Sequence, residues 1–336
     1  GAHGKTTSTG LIGCVLEKMG LDPTIINGGI VLSFGSNTRL GNGRHIVCEL
    51  DESDGSFSFV HSKIAVVTNI DREHMDYFKT MKRMLNEYLV FINQAEMAIL
   101  CGDDKYIRKI LPSIKVKYTT YGTRHGILRA RNIVQNKNCT YFDVLKNGNS
   151  IGRWKINLIG RHNVLNALSA ISVGEALSID YDVIKLALGE FSGTERRLEV
   201  KRDDDIMVIS DYGHHPTEIK KTLKAVKRAW KRPVIAIFQP HRYTRTKDLL
   251  DRFAKCFGDS DTLILTEIYS ASEKPIPGIS GKILYDEIKK NHKDCHFIPD
   301  FYKIPEFVKR KVKKESCLLV LGAGDIINIV DDIVSL

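Results

Sequence analysis

Short apolar runs rich in β-branched residues alternate along the chain with stretches in which apolar side chains return every three or four positions. These are the signatures of a buried strand and of an amphipathic helix. The runs fall at 46–50, 64–68, 98–101, 206–210, 234–238, 262–266 and 318–321, and helical spacing covers 8–19, 161–177 and the stretch after Pro216. Such alternation predicts an α/β protein with mostly parallel sheets, because crossover helices must cover both faces of each sheet. Between about 115 and 158 the pattern changes to short strands with the turn signals Tyr121-Gly122 and Asn147-Gly148-Asn149, which predicts a small antiparallel insertion. A complete strand and helix series restarts near Val200, after Phe191-Ser-Gly-Thr194, so two domains are expected, 1–192 and 193–336.

At 336 residues, 43% hydrophobic and 27% charged, the chain can bury sizeable cores and is not a disordered sequence. No apolar run reaches the ~18 residues of a membrane span, so no membrane insertion is expected. The start lacks a charged-then-apolar leader, which points to a cytoplasmic protein. The seven cysteines show no CxxC spacing and read as reduced, mostly core residues. A net charge of +10 fits either nucleic acid or an anionic small substrate. The densest basic stretch, from Lys220 to Arg232, has helical spacing against Ile219, Leu223, Val226 and Trp230, so it reads as a solvated outer helix face. With no zinc, helix-turn-helix or RNA-binding pattern, a nucleic-acid-binding ATPase remains only an alternative, and no nucleic acid partner is expected.

The chemistry concentrates at three places. Gly1-Ala-His-Gly-Lys-Thr-Thr7 precedes a helical stretch: a Gly-rich turn closes N–H groups around phosphate, Lys5 supplies a mobile charge and Thr6 a magnesium ligand. His45 to Leu50 reads as a buried strand that delivers Glu49 and the carboxylates up to Asp54 to its C-terminal end, where ligands of parallel sheets bind. A second buried strand runs into Asn69-Ile-Asp-Arg-Glu-His-Met-Asp76 and delivers His74 to another strand end, as a candidate for a second metal position. In the second half, Tyr212, His214, His215, Arg242 and Arg245 fall at the ends of two strands. Gly322-Ala-Gly-Asp325 follows another strand and offers N–H groups to an anion.

Six blocks occur in order: the phosphate loop, Cys48-Glu-Leu-Asp-Glu-Ser-Asp54, Thr68 to Asp76, Gly160-Arg-His-Asn-Val-Leu-Asn166, Gly193-Thr-Glu-Arg-Arg197 and Asp211-Tyr-Gly-His-His-Pro216. Together they resemble the Mur ligases of peptidoglycan synthesis over nearly the whole chain. Asp211 to Glu218 and Gln239 to Thr246 are most similar to the members that act on UDP-N-acetylmuramate and L-alanine; a relative that joins the same sugar to a tripeptide is the nearest alternative. The resemblance implies a P-loop ATPase domain and a Rossmann-like C-terminal domain. It also implies a third, N-terminal UDP-sugar-binding domain, absent from this sequence, and hence an expectation that the chain is a fragment.

The implied reaction forms an amide through an acyl phosphate, with ATP and Mg²⁺. By the same resemblance Gly4, Lys5, Thr6 and Thr7 hold the phosphates, Thr6 and Glu49 bind Mg²⁺, and His74 holds a second ion. His162, Asn163 and Asn166 then sit beside the adenine, Arg197 reaches ATP and Asp211 meets the ribose. Tyr212, His214, Arg242, Arg245 and Gly324 serve the substrate side. Many relatives carry a carbamylated lysine on the helix after the metal histidine, but 85–95 contains no Lys, so Glu87 or water is expected to complete that shell.

Overall fold

The computed structural model describes all 336 residues, which form two compact units, Gly1–Glu195 and Arg196–Leu336. The division falls three residues after the expected boundary, and the reason is local pairing. The N–H of Leu32 donates to the Gly193 carbonyl at 3.1 Å and that of Glu195 to Ile30 at 2.8 Å, with a bridge from Val31 to Thr194 between them. The Gly193 to Glu195 stretch is therefore tied to the first unit.

The first unit contains α1 (Lys5–Lys18), β1 (Thr24–Val31), β2 (Ser36–Arg39), β3 (Ile46–Cys48), β4 (Ile64–Val67), α2 (Met75–Phe78), α3 (Met81–Asn93) and β5 (Met97–Cys101). It continues with α4 (Lys105–Ile110), β6 (Lys117–Gly122), β7 (Leu128–Asn136), β8 (Cys139–Lys146), β9 (Asn149–Ile156), α5 (Arg161–Ala176) and α6 (Tyr181–Glu190). Two sheets result, β2-β1-β3 and β4-β5-β6-β7-β8-β9. Strands β4 to β7 pair in parallel and β7 to β9 antiparallel. The antiparallel strands expected from the turn signals are thus present, and they extend the main sheet through the Tyr121 to Leu128 register.

The run around Ile46 corrects a second expectation. It is a strand, but a short and largely exposed one: Ile46 is 70% exposed, and β3 pairs only with β1 in the smaller sheet. Cys48 on it is likewise exposed, unlike the buried Cys101, Cys256, Cys295 and Cys317. Helix α1 is buried on nearly every side and packs on α5, α6 and β1, which explains its lack of a polar face.

The second unit contains β10 (Glu199–Asp203), β11 (Met207–Asp211), α7 (Pro216–Trp230), β12 (Val234–Phe238), α8 (Tyr243–Asp248), α9 (Leu250–Phe253), β13 (Thr262–Leu265), α10 (Gly281–Lys289), β14 (Cys295–Phe297), α11 (Ile304–Lys311), β15 (Cys317–Leu321) and α12 (Val330–Val334). They form one sheet in the order β10-β11-β15-β12-β13-β14, parallel except for the edge pair β10/β11. Alternate residues face two separate cores. Ile209, Phe238 and Leu319 pack with α7, α9 and α10, whereas Val208, Ile237 and Val320 pack with α11 and α12. The central strands β12 and β15 are therefore apolar at every position, as the sequence pattern requires for strands covered on both sides. Helix α7 buries Ile219, Leu223 and Val226, leaving Lys220, Lys221 and Lys224 on its exposed face.

Candidate active site

In the first unit, the chain from Gly1 to Lys5 turns over the C-terminal end of β4 and enters α1. The Asn69 side chain fixes this turn, accepting from the His3 N–H at 3.0 Å and donating to the His3 carbonyl at 2.7 Å, while Thr68 donates to the same carbonyl at 2.8 Å. Gly4 is the N-cap of α1 at φ 81°, a left-handed conformation that favours glycine. A Cβ there would also lie 2.5 Å from the Asn166 Oδ1. No side chain caps α1, so the N–H groups of its first turn, which includes the buried Thr6 and Thr7, form a ready anion site.

Around this turn the structure gathers carboxylates. The Thr6 hydroxyl donates to the Glu49 Oε1 at 3.1 Å, and the Gly28 N–H to its Oε2 at 2.8 Å, so the two expected metal-binding residues are neighbours. Lys5 ion-pairs with Glu52 and, at 3.3 Å, with Asp51. Burial alone would lower the Lys5 pKa, but the Glu52 charge and hydrogen bond outweigh it and the ammonium is held above its ordinary value. For Asp51 burial pushes upward, and the Ser53 hydroxyl together with the Lys5 charge brings the carboxyl below its ordinary value.

His74, at φ 53°, opens α2, and its ring lies with Glu52 and Glu73 so that one ligand atom of each falls within 4.8 Å of the others. Glu52 is 2% exposed and its Oε1 has no hydrogen-bond partner. The sequence reading expected Glu87 near His74. The structure instead pairs Glu87 with Arg83 one helical turn away at 2.9 Å, and Glu52 and Glu73 take the place beside the histidine. Both lay in recognised acidic segments, but nothing in their spacing showed which carboxylates turn inward.

The three residues expected at the adenine open α5. His162 is half-buried in its first turn. Asn163 and Asn166 are buried and bonded internally: the Asn163 amide donates to the Ile159 carbonyl at 2.8 Å, and its oxygen accepts from Asn166 at 3.0 Å. Asn163 is not a helix cap, since Gly160 takes that position. Asn166 thus links α5 to the phosphate turn through its contact with Gly4.

In the second unit, Asp211 ends β11 and accepts from the Leu198 and Gly213 N–H groups, both at 2.8 Å. Burial raises its pKa, against the pull of the Arg197 charge. Tyr212 has the guanidinium groups of Arg196 and Arg197 at 5.0 and 5.1 Å from its ring centre. His215 is fully buried as the N-cap of α7, completing a capping box with Glu218. His214 accepts no such duty: its Nδ1 lies 3.1 Å from the Tyr212 carbonyl, and its ring edges toward Tyr212 and His241. Arg245 donates to the His241 Nδ1 at 3.0 Å, and Arg242 sits at φ 72° with its N–H on the Tyr269 carbonyl at 2.8 Å.

The loop after β15 is held by residues distant in the sequence. Arg196 donates to the Gly322 carbonyl at 2.6 Å, the Gly322 N–H is taken by the Asp211 carbonyl at 3.1 Å, and the Ile326 N–H by the Gln239 Oε1 at 3.1 Å. Gly324 is still demanded by packing, since a Cβ would lie 2.5 Å from Gln239 and 2.6 Å from the Tyr269 ring. Arg196 and Gln239 were not singled out from sequence, because their partners lie more than eighty residues away.

Comparison with known proteins agrees with this anatomy. The Mur ligase middle domain matches residues 1–174, and the Mur ligase glutamate ligase domain matches 196–324. The UDP-N-acetylmuramate–L-alanine ligase of Anaeromyxobacter sp. (strain Fw109-5) is 42% identical over 97% of this chain and 72% of its own length. That of Desulforapulum autotrophicum is 43% identical over 98% and 74%. Among solved structures, the UDP-N-acetylmuramate-alanine ligase of Thermotoga maritima superposes with a TM-score of 0.85 at 28% identity, covering 99% of this chain and 73% of that one. A murein peptide ligase from Psychrobacter arcticus shares the fold at a TM-score of 0.71 and 20% identity, over 99% of this chain and 75% of that one. The chain belongs to the Mur ligase family.

Proposed function

We propose that this protein is an ATP-dependent ligase that joins L-alanine to the carboxylate of UDP-N-acetylmuramate, a cytoplasmic step of peptidoglycan synthesis. The observation that carries the reading is the open helix turn at Gly4 to Thr7, with Lys5 held between carboxylates and Thr6 bonded to Glu49. Its substrate assignment is supported by relatives of that name at 42–43% identity over nearly all of the chain.

The reaction balances in two steps. The sugar carboxylate oxygen attacks the γ-phosphorus and ADP leaves, giving an acyl phosphate. The alanine nitrogen then attacks the acyl carbon, phosphate leaves and the nitrogen loses a proton. The N–H groups of the α1 first turn bind the phosphates, and Lys5, exchanging Glu52 for the γ-phosphate, offsets charge as it moves. Gly4 lets the backbone approach, and Asn166 holds that turn in place.

The donor set suits magnesium, which favours oxygen ligands. Thr6 and Glu49 would hold one ion, and Glu52, Glu73 and His74 a second, the unpartnered Glu52 Oε1 being available to it. Bound there, magnesium would supply positive charge to the phosphate oxygens and to the substrate carboxylate. In the second unit His214, Arg242 and Arg245 offer the charge and forked donors suited to the amino acid carboxylate and the acyl phosphate.

An ADP-release assay of the complete enzyme tests the reading, with UDP-N-acetylmuramate and either L-alanine or the tripeptide as acceptor. Release that requires both the sugar nucleotide and L-alanine supports it. Release with the tripeptide but not with L-alanine would transfer the assignment to the tripeptide ligase.

A further inference from the structure

His241, in the turn that follows β12, is fixed through both its backbone and its ring. The backbone is stitched to the loop after β13: His241 bridges Tyr269 in parallel, the Tyr269 N–H donates to the Pro240 carbonyl at 2.9 Å, and the Arg242 N–H donates to the Tyr269 carbonyl at 2.8 Å. Tyr269 also stacks on the imidazole, with ring centres 5.5 Å apart and planes at 24°. The His214 ring, from the turn after β11, lies 5.7 Å away. Against this fixed ring stands Arg245 of α8, whose Nη1 donates to the His241 Nδ1 at 3.0 Å and to the His241 carbonyl at 3.2 Å. A guanidinium carries donors only, so Nδ1 is the acceptor, and the ring is neutral with its proton on Nε2.

We infer that His241 is a positioning residue for Arg245: its Nδ1 serves as a neutral acceptor that aims the guanidinium at the carboxylate of the amino acid substrate. The identity of that substrate rests on the ligase reading, whereas the contact does not. The first physical reason is entropy. An arginine side chain loses much rotamer freedom when it is fixed, so an acceptor that holds it before substrate arrives leaves less ordering to be done on binding. The second is charge. A carboxylate at this place would hold Arg245 as firmly, but it would cancel charge that a substrate carboxylate needs; an imidazole nitrogen fixes the direction of the fork and leaves its charge whole. The local helix does not supply this contact by itself. Arg242, at φ 72°, is the N-cap of α8 and interrupts the helical run, so His241 lies outside the helix and reaches Arg245 only because the Tyr269 loop holds it there.

The test compares His241→Asn, His241→Gln and His241→Asp in the complete enzyme. Asn carries its amide oxygen where Nδ1 stands, Gln carries its amide one bond farther out, and Asp places a charged oxygen at the Nδ1 position. Two readouts are taken: the side-chain N–H signals of Arg245 in spectra of protein with nitrogen-labelled arginine, identified by their loss in Arg245→Ala, and the KM of each substrate from ADP release. Wild type, His241→Asn and His241→Asp should show slowly exchanging Arg245 signals, and His241→Gln should lose them. The KM for L-alanine should stay within about threefold of wild type in His241→Asn and rise at least about tenfold in His241→Gln and His241→Asp, the first through lost aim and the second through cancelled charge, while the KM for ATP stays unchanged. In an Arg245→Ala background His241→Gln should add less than about twofold, because it acts through the arginine. Arg245 signals that are the same in every variant overturn the inference. So do a Gln variant that matches Asn, an Asp variant that matches wild type, or a rise in KM confined to ATP or the sugar nucleotide. A wild-type enzyme that does not use L-alanine refutes the ligase reading instead, and the spectra then still show whether His241 holds Arg245.

Discussion

Replacing Gly4 with alanine probes the phosphate turn most sharply, because two separable costs meet at one atom. The first is conformational: at φ 81° an L side chain sits in the left-handed region, which costs roughly 1–2 kcal/mol. The second is steric: the new methyl would stand 2.5 Å from the Asn166 Oδ1. That amide cannot swing away freely, since its nitrogen donates to Asn163, which is itself bonded to the Ile159 carbonyl. Overpacking of this kind costs typically ~1–3 kcal/mol, so Gly4→Ala should destabilise the first unit by about 2–5 kcal/mol. In an Asn166→Ala background the second cost disappears, and the same change should remove only about 1–2 kcal/mol. Urea unfolding followed by tryptophan fluorescence measures both, in a Trp230→Phe background so that the buried Trp154 of the first unit gives the signal. Calorimetry should also show weaker ATP binding in Gly4→Ala than in wild type. An identical loss of stability in the two backgrounds would show that Asn166 does not limit this turn. No loss in either would refute the left-handed turn itself.

Three further outcomes are expected. Arg242→Ala or His214→Ala should lower turnover by about 10²–10³ while calorimetric ATP affinity stays near wild type, since loss of a donor at a developing oxyanion has that scale; ATP affinity falling in step with turnover would refute the substrate-side role. Glu49→Gln should raise the Mg²⁺ concentration needed for ATP binding, whereas His74→Ala should leave nucleotide binding intact and raise the Mg²⁺ needed for turnover, as read from Mg²⁺ titrations of each. Asp103 is pushed up by burial but held below its ordinary pKa by the Thr123 hydroxyl and the N–H groups of Thr123, Arg124 and His125. Its contribution is therefore present above the unfolded value near 3.8 and lost as pH falls through the lower folded value. Asp103→Asn should then cost about 1–3 kcal/mol at pH 7 and progressively less below pH ~4, measured by unfolding across that range.

By itself the sequence determined the α/β class, the fully apolar central strands β12 and β15 of the second unit and the position of the phosphate turn. These follow from local rules: a buried parallel strand must be apolar at every residue, and Gly4, Lys5 and Thr6 act through a turn only a few residues long. It also brought Glu49 and His74 to strand ends, because a strand that stops at a carboxylate carries its own direction. What it could not contain was pairing between distant segments. Only the tertiary structure seated Glu52 and Glu73 beside His74 in place of Glu87, since which carboxylate of an acidic run turns inward depends on what packs beneath it. The same holds for Arg196, which turns the glycine loop after β15 into an acceptor of its guanidinium, and for Asn166, whose contact with Gly4 spans most of the first unit. The β3 edge is the plainest case. Its apolar residues read as a buried strand, yet burial is set by neighbours on both sides, and here β3 is an edge strand paired only with β1.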